Sequence, residues 1–84
     1  MRELRIRVSF YSYFKELAGC AETTESLAAG TTLEGLLKAL SARFPKLGAM
    51  QRSLLVAVGV DYQARTYVLQ EGDEVSLFPP VQGG

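Results

Sequence analysis

The residues best suited to chemistry are the last seven, Phe78-Pro79-Pro80-Val81-Gln82-Gly83-Gly84. Glycine carries no Cβ, so a Gly-Gly segment is thin and sterically open around the final carboxylate. The two prolines hold the preceding residues extended, because each fixes φ and turns the residue before it away from helix. A stiff stalk with a slender tip can thread a narrow cleft in another protein and present an α-carboxylate there. A Cβ at Gly83 or Gly84 would thicken the tip. The plain alternative is a frayed terminus with no role.

No other residue type competes with this end for chemistry. The sequence has no histidine, which removes the commonest general base, the commonest zinc ligand and every histidine triad. The single cysteine, Cys20, allows no internal disulfide and no Cys-x-x-Cys pair, and reads as a small packing residue or an exposed thiol. No metal site and no bound cofactor are expected. Lys+Arg and Asp+Glu balance at 9 each, so no basic excess points to nucleic acid or an anionic membrane. No apolar run of about 18 residues occurs, and a cytoplasmic protein is expected. With 84 residues and 48% hydrophobic content, residues 1–84 are expected to form one domain, with 79–84 as its protruding tail.

The elements that must position this tail follow from periodicity. Leu4, Ile6, Val8 and Phe10 alternate with Arg5, Arg7 and Ser9, which predicts a half-buried strand. Ser12 can cap a short helix whose inner face holds Phe14, Leu17 and Ala18, and Gly19 can end it. Glu22 to Leu27 reads as an edge strand paired with the first. Thr31-Thr32-Leu33-Glu34 fits a capping box with Thr31 as N-cap. Leu33, Leu36, Leu37, Leu40 and Phe44 recur at helical spacing, and Pro45 closes that helix. Lys46 to Ser53 reads as a loop with room for one helical turn. Leu54 to Val60 is nearly all apolar and predicts a covered strand. Asp61 to Arg65 turns the chain, Thr66 to Leu69 reads as a short strand or extended piece, and Glu71-Gly72-Asp73 as a turn. In Glu74 to Phe78, Val75 and Leu77 face inward while Ser76 and Phe78 face outward.

One long helix with one apolar stripe needs one sheet face to lie on. The predicted class is α+β: a mixed sheet of about five strands on one main helix, with a short helix after the first strand. This is the β-grasp, or ubiquitin-like, arrangement. By analogy with that fold, the first and last strands lie parallel at the sheet centre, and the tail projects from a rigid strand.

With Gly72-Asp73-Glu74-Val75 before it, the Pro79-Pro80-Val81-Gln82-Gly83-Gly84 tail resembles that of the molybdopterin synthase small subunits, sulfur carriers of molybdenum cofactor biosynthesis. Phe14-Lys15-Glu16-Leu17-Ala18-Gly19 is similar to the family's short helix, and Thr32-Leu33 through Arg43-Phe44-Pro45 to its main helix. The resemblance spans essentially the whole chain. A Gly-Gly end is shared with ubiquitin and other carriers, whereas Pro-Pro-Val-x-Gly-Gly is more specific. Many members carry Asn where this chain has Gly59; both residues tolerate φ > 0.

The resemblance implies that an ATP-dependent, ubiquitin-activating-like adenylyltransferase forms an acyl-adenylate on Gly84. Sulfur then replaces the adenylate. The resulting thiocarboxylate donates sulfur to a cyclic pyranopterin phosphate inside the synthase large subunit, in a heterotetramer of two small and two large subunits. This chain is then a sulfur donor that is not catalytic on its own, and ATP belongs to the activating partner. Tyr11, Phe78, Pro79, Pro80, Val81 and Gln82 are the expected partner-binding residues. Phe78 is either a docking anchor or a ring half-covered by the short helix. Arg5 and Arg7 are either a solvated face or a match for acidic partner groups. Two rival functions share the tail: a sulfur carrier for thiamine, cysteine or tRNA thiolation, and a ubiquitin-like protein modifier.

Overall fold

Period-two alternation at the start of the chain becomes β1 (Glu3–Phe10), which buries Ile6, Val8 and Phe10 and leaves Arg5 and Arg7 on the opposite face. The computed structural model describes residues 3–11, 14–48 and 54–78. Ser12, the expected cap of the short helix, lies outside these residues, as do positions 49–53 of the expected loop. Helix α1 (Phe14–Ala18) inserts Phe14 fully into the core and packs Leu17 and Ala18 against it. It stops at Gly19, whose φ of +80° suits a residue without Cβ, and the Gly19 N–H closes the turn onto the Lys15 carbonyl at 2.9 Å.

Strand β2 (Glu22–Ala28) pairs antiparallel with β1, from Glu3 opposite Ala28 to Ser9 opposite Glu22. Helix α2 (Leu33–Arg43) follows and buries Leu33, Leu36, Leu37 and Leu40 as one stripe. Burying each such leucine stabilises the fold by roughly 1.5–3 kcal/mol. The N-cap is Thr32, not Thr31: its hydroxyl accepts the Gly35 N–H at 3.4 Å. Thr31 is committed elsewhere. Its own N–H and hydroxyl both donate to the Ala28 carbonyl, and its carbonyl accepts the Leu69 N–H. Past α2, Pro45 opens the single turn α3 (Pro45–Gly48), a position where its missing N–H costs nothing.

Three strands complete the sheet: β3 (Leu55–Val58), β4 (Asp61–Tyr62) and β5 (Glu74–Phe78). Two expectations are corrected here. The apolar run does not stay in the sheet as far as Val60. The chain turns at Gly59, at φ +65°, and Val60 is 95% exposed. Of the two readings of Thr66–Leu69, the structure shows the extended piece and not a ladder strand. It contributes one bridge, Val68 to Thr32, plus the buried Leu69, while the fifth strand is the Asp61–Tyr62 pair expected to be turn.

The strand order is β2-β1-β5-β3-β4. β5 runs parallel to β1, from Arg7 opposite Glu74 to Phe10 opposite Leu77, and antiparallel to β3 on its other side. Val75 and Leu77 meet Ile6, Val8, Phe10 and the α2 leucines in one core. The last described strand is therefore held by hydrogen bonds on both sides, at the middle of the sheet.

Candidate functional site: the end of the central strand

Hydrogen bonds fix where β5 delivers the chain. The Tyr11 N–H donates to the Leu77 carbonyl at 3.2 Å, extending the parallel ladder one residue past β1. Phe78 sits opposite Leu55, Ser76 opposite Ala57, and Ala57 opposite Tyr62. Direct partners share a sheet face, so all five side chains lie on the face away from the helices. Ala57 is buried there although it is not part of the main core.

Three rings frame the point where residue 79 departs. Tyr11 stacks on Phe78 with centroids 4.7 Å apart and planes 13° from parallel. Tyr62 meets the same Phe78 edge-on at 6.4 Å and 69°. Phe78 is half-buried beneath them, while Tyr11 and Tyr62 stay 45% and 68% exposed. Among the described residues, two tyrosines on the outer face pack on Phe78. The structure unites two of the expected docking residues, Tyr11 and Phe78. Pro79, Pro80, Val81, Gln82, Gly83 and Gly84 lie outside the described residues. Tyr62 escaped the sequence reading; its one signal was an aromatic residue soon after an apolar strand.

The other half of this face is polar. Arg5, Arg7, Thr24, Glu71, Gly72 and Glu74 line a shallow groove. Glu74 stands opposite Arg7, and Glu71 accepts the Arg5 backbone N–H at 3.0 Å. Both signs of charge are interspersed, as on a solvated face. Before β5, the Asp73 carboxylate accepts the Tyr67 hydroxyl at 3.0 Å and the Gln70 N–H at 2.8 Å. That hydrogen bond, with burial and the Asp73 charge adding to it, pushes the Tyr67 phenol above its ordinary range. Cys20 is half-buried and packs against the core. Among the described residues no three His, Cys, Asp or Glu side chains gather as a metal site would require, and no described helix is long and apolar enough to cross a membrane.

A mixed sheet on one long helix, with the last strand at its centre, defines a β-grasp protein of the ubiquitin-like class. The chain belongs to the ThiS family, whose profile matches residues 8–84. The molybdopterin synthase sulfur carrier subunit of Escherichia coli is 36% identical to it over 81 residues, covering 94% of this chain and 99% of that relative. Small archaeal modifier protein 1 of Haloferax volcanii shares the fold with a TM-score of 0.83 at 23% identity, covering 93% of this chain and 99% of that one. So does a chain of the complex of subunits 1 and 2 of the molybdopterin-converting factor from Helicobacter pylori. Its TM-score is 0.65 at 24% identity, covering 96% of this chain and all (100%) of that one.

Proposed function

We propose that the chain is the sulfur carrier subunit of a molybdopterin synthase. The observation that carries the reading is the delivery point. β5 is pinned on both sides and ends at Phe78 within an exposed aromatic patch, so the segment that follows has a rigid base beside a surface suited to docking. The likeness to relatives named as such carriers supports it, and so does the joining of subunit 1 with subunit 2 in the Helicobacter pylori assembly.

In this reading a Gly84 carboxylate oxygen attacks the α-phosphorus of ATP on an activating enzyme, and pyrophosphate leaves. A sulfur nucleophile then displaces AMP, giving the thiocarboxylate. Its sulfur, softer and more polarizable than oxygen, attacks a side-chain carbon of the cyclic pyranopterin monophosphate held by the large subunit, and the oxygen substituent on that carbon leaves with its bonding electrons. Water cleaves the resulting thioester, returning the carboxylate and leaving sulfur on the product. None of these steps draws on a base or cofactor of this chain, in keeping with its lack of histidine. Its part is to position a reagent, and positioning alone can be worth about 7–11 kcal/mol of barrier. An ATP-consuming activation step of this kind fits a cytoplasmic protein.

Intact mass spectrometry tests the reading. After incubation with an activating enzyme, ATP and a sulfur donor, the chain is expected to gain the mass of one oxygen-to-sulfur exchange at its last residue. Adding the large subunit and the pyranopterin precursor should reverse the gain. A ladder of lysine conjugates, or a thiocarboxylate that only a thiamine, cysteine or tRNA system can discharge, would overturn it.

A further inference from the structure

A β-sheet must protect its edges, because unpaired N–H and C=O groups invite another strand. One edge here is β4, only two residues long. The other is β2, with seven residues and no proline or glycine. Which of its groups face outward follows from β1. The Arg7 N–H points away from β2, to the Asp73 carbonyl, so Thr24 opposite Arg7 turns its backbone groups to the free edge. The same alternation turns out Glu22, Ser26 and Ala28.

Two of those four carbonyls are already occupied. Ala28 accepts from Thr31. Thr24, near the middle of the strand, accepts from Arg43 Nη1 at 3.3 Å. Arg43 is the last residue of α2, and its guanidinium reaches over the edge from the helix layer. Nη2 donates to the Thr23 hydroxyl oxygen at 3.1 Å, and Nη1 pairs with the Glu25 carboxylate. Glu25 faces the helix side opposite Ile6 and is only 8% exposed, the one buried charged side chain among the described residues. The fork is further set by the Phe44 ring, 5.0 Å from the guanidinium carbon, which itself packs edge-on against Phe10. A helix-borne arginine thus ends on a backbone carbonyl that neither helix nor sheet requires it to reach.

We propose that Arg43 closes β2 to strand addition, and that the strand it excludes is β2 of a second copy of this chain. An antiparallel pair of identical edges is self-complementary about a two-fold axis, and β2 is the described edge long enough to form one. Arg43 stands in the middle of that ladder. An inward-pointing charge on the same strand is a second known means of spoiling such pairing.

The test is oligomeric state by size exclusion with light scattering across a concentration series. Wild type is expected to stay monomeric. Arg43→Met combined with Glu25→Leu removes the fork without stranding a buried charge. This variant is expected to rise about twofold in mass as concentration grows, as a two-fold pair requires. Adding Ser26→Pro, which deletes only an outward N–H, should return it to monomer. Should the double variant fail to fold, Arg43→Lys repeats the test: it keeps a counter-ion for Glu25 but has no planar fork for Thr24. A folded variant that remains monomeric overturns the proposal. So does a dimer that Ser26→Pro leaves intact, or a wild type that already pairs through this edge.

Discussion

Phe78 is shared between the fold and the outside. Its ring is half-covered by two tyrosines that are themselves largely in water. Interface anchors are commonly aromatic, and truncating one costs about 2 kcal/mol or more of binding. Phe78→Ala is therefore expected to weaken binding to a synthase large subunit by roughly thirtyfold or more by calorimetry, with a smaller loss in thermal stability. Tyr62→Ala separates the two effects more cleanly. Its exposed ring should change stability by only about 0.5 kcal/mol, while affinity still falls. Unchanged affinity in both variants would remove the patch from the interface. Tyr11 and Phe78 were legible in the sequence because period two carries each side chain to a definite face. Tyr62 was not, since its strand is too short to show a period, and only the β3–β4 pairing puts it beside Phe78.

Between α2 and the last strand, position is set by a latch rather than by regular pairing. Asp73 accepts both the Tyr67 hydroxyl and the Gln70 N–H, and its own carbonyl takes the Arg7 N–H. The loop is thereby tied to the start of β5. Because the protonated phenol is the form that donates, the folded state holds Tyr67 protonated to higher pH than the unfolded chain does. Its contribution is complete below the ordinary tyrosine range near about 10 and is lost as pH rises through the raised folded value. Asp73→Asn should bring the Tyr67 titration down, measured as tyrosinate absorbance against a Tyr67→Phe control; an unmoved midpoint would exclude Asp73 as the cause. The long elements here were readable from spacing: the α2 leucines, and the alternations of β1 and β5. Spacing alone puts the capping box one residue early, because Thr31 and Thr32 both offer a hydroxyl and only Thr31's tertiary bonds decide between them. Val68 and Leu69 look like a strand by composition, yet Leu69 serves the core and Val68 a single bridge.

At the scale of the molecule, the proposed reactive end lies beyond the last described core residue. Among the described residues the buried core runs from Ile6 to Leu77, and the strand pairings reach Phe78. Deletion of Gly84, or Gly84→Ala, is expected to abolish sulfur transfer in a reconstituted synthase while circular dichroism and melting temperature stay as in wild type. Full transfer by the shortened chain would refute the role given to that residue. Most strand and helix positions were legible at this scale, β4 excepted, whereas the parallel adjacency of the first and last strands rests on analogy with a fold, because it leaves no mark on local periodicity.

The seat of β5 between β1 and β3 also bears on biosynthesis. On the ribosome both flanking strands are translated before β5, and a nascent chain broken off before residue 74 leaves two open edges instead of a continuous sheet. Such contacts between distant parts of a chain form late. Unfinished products therefore expose themselves to proteolysis, and the pool that survives is enriched in chains translated through β5.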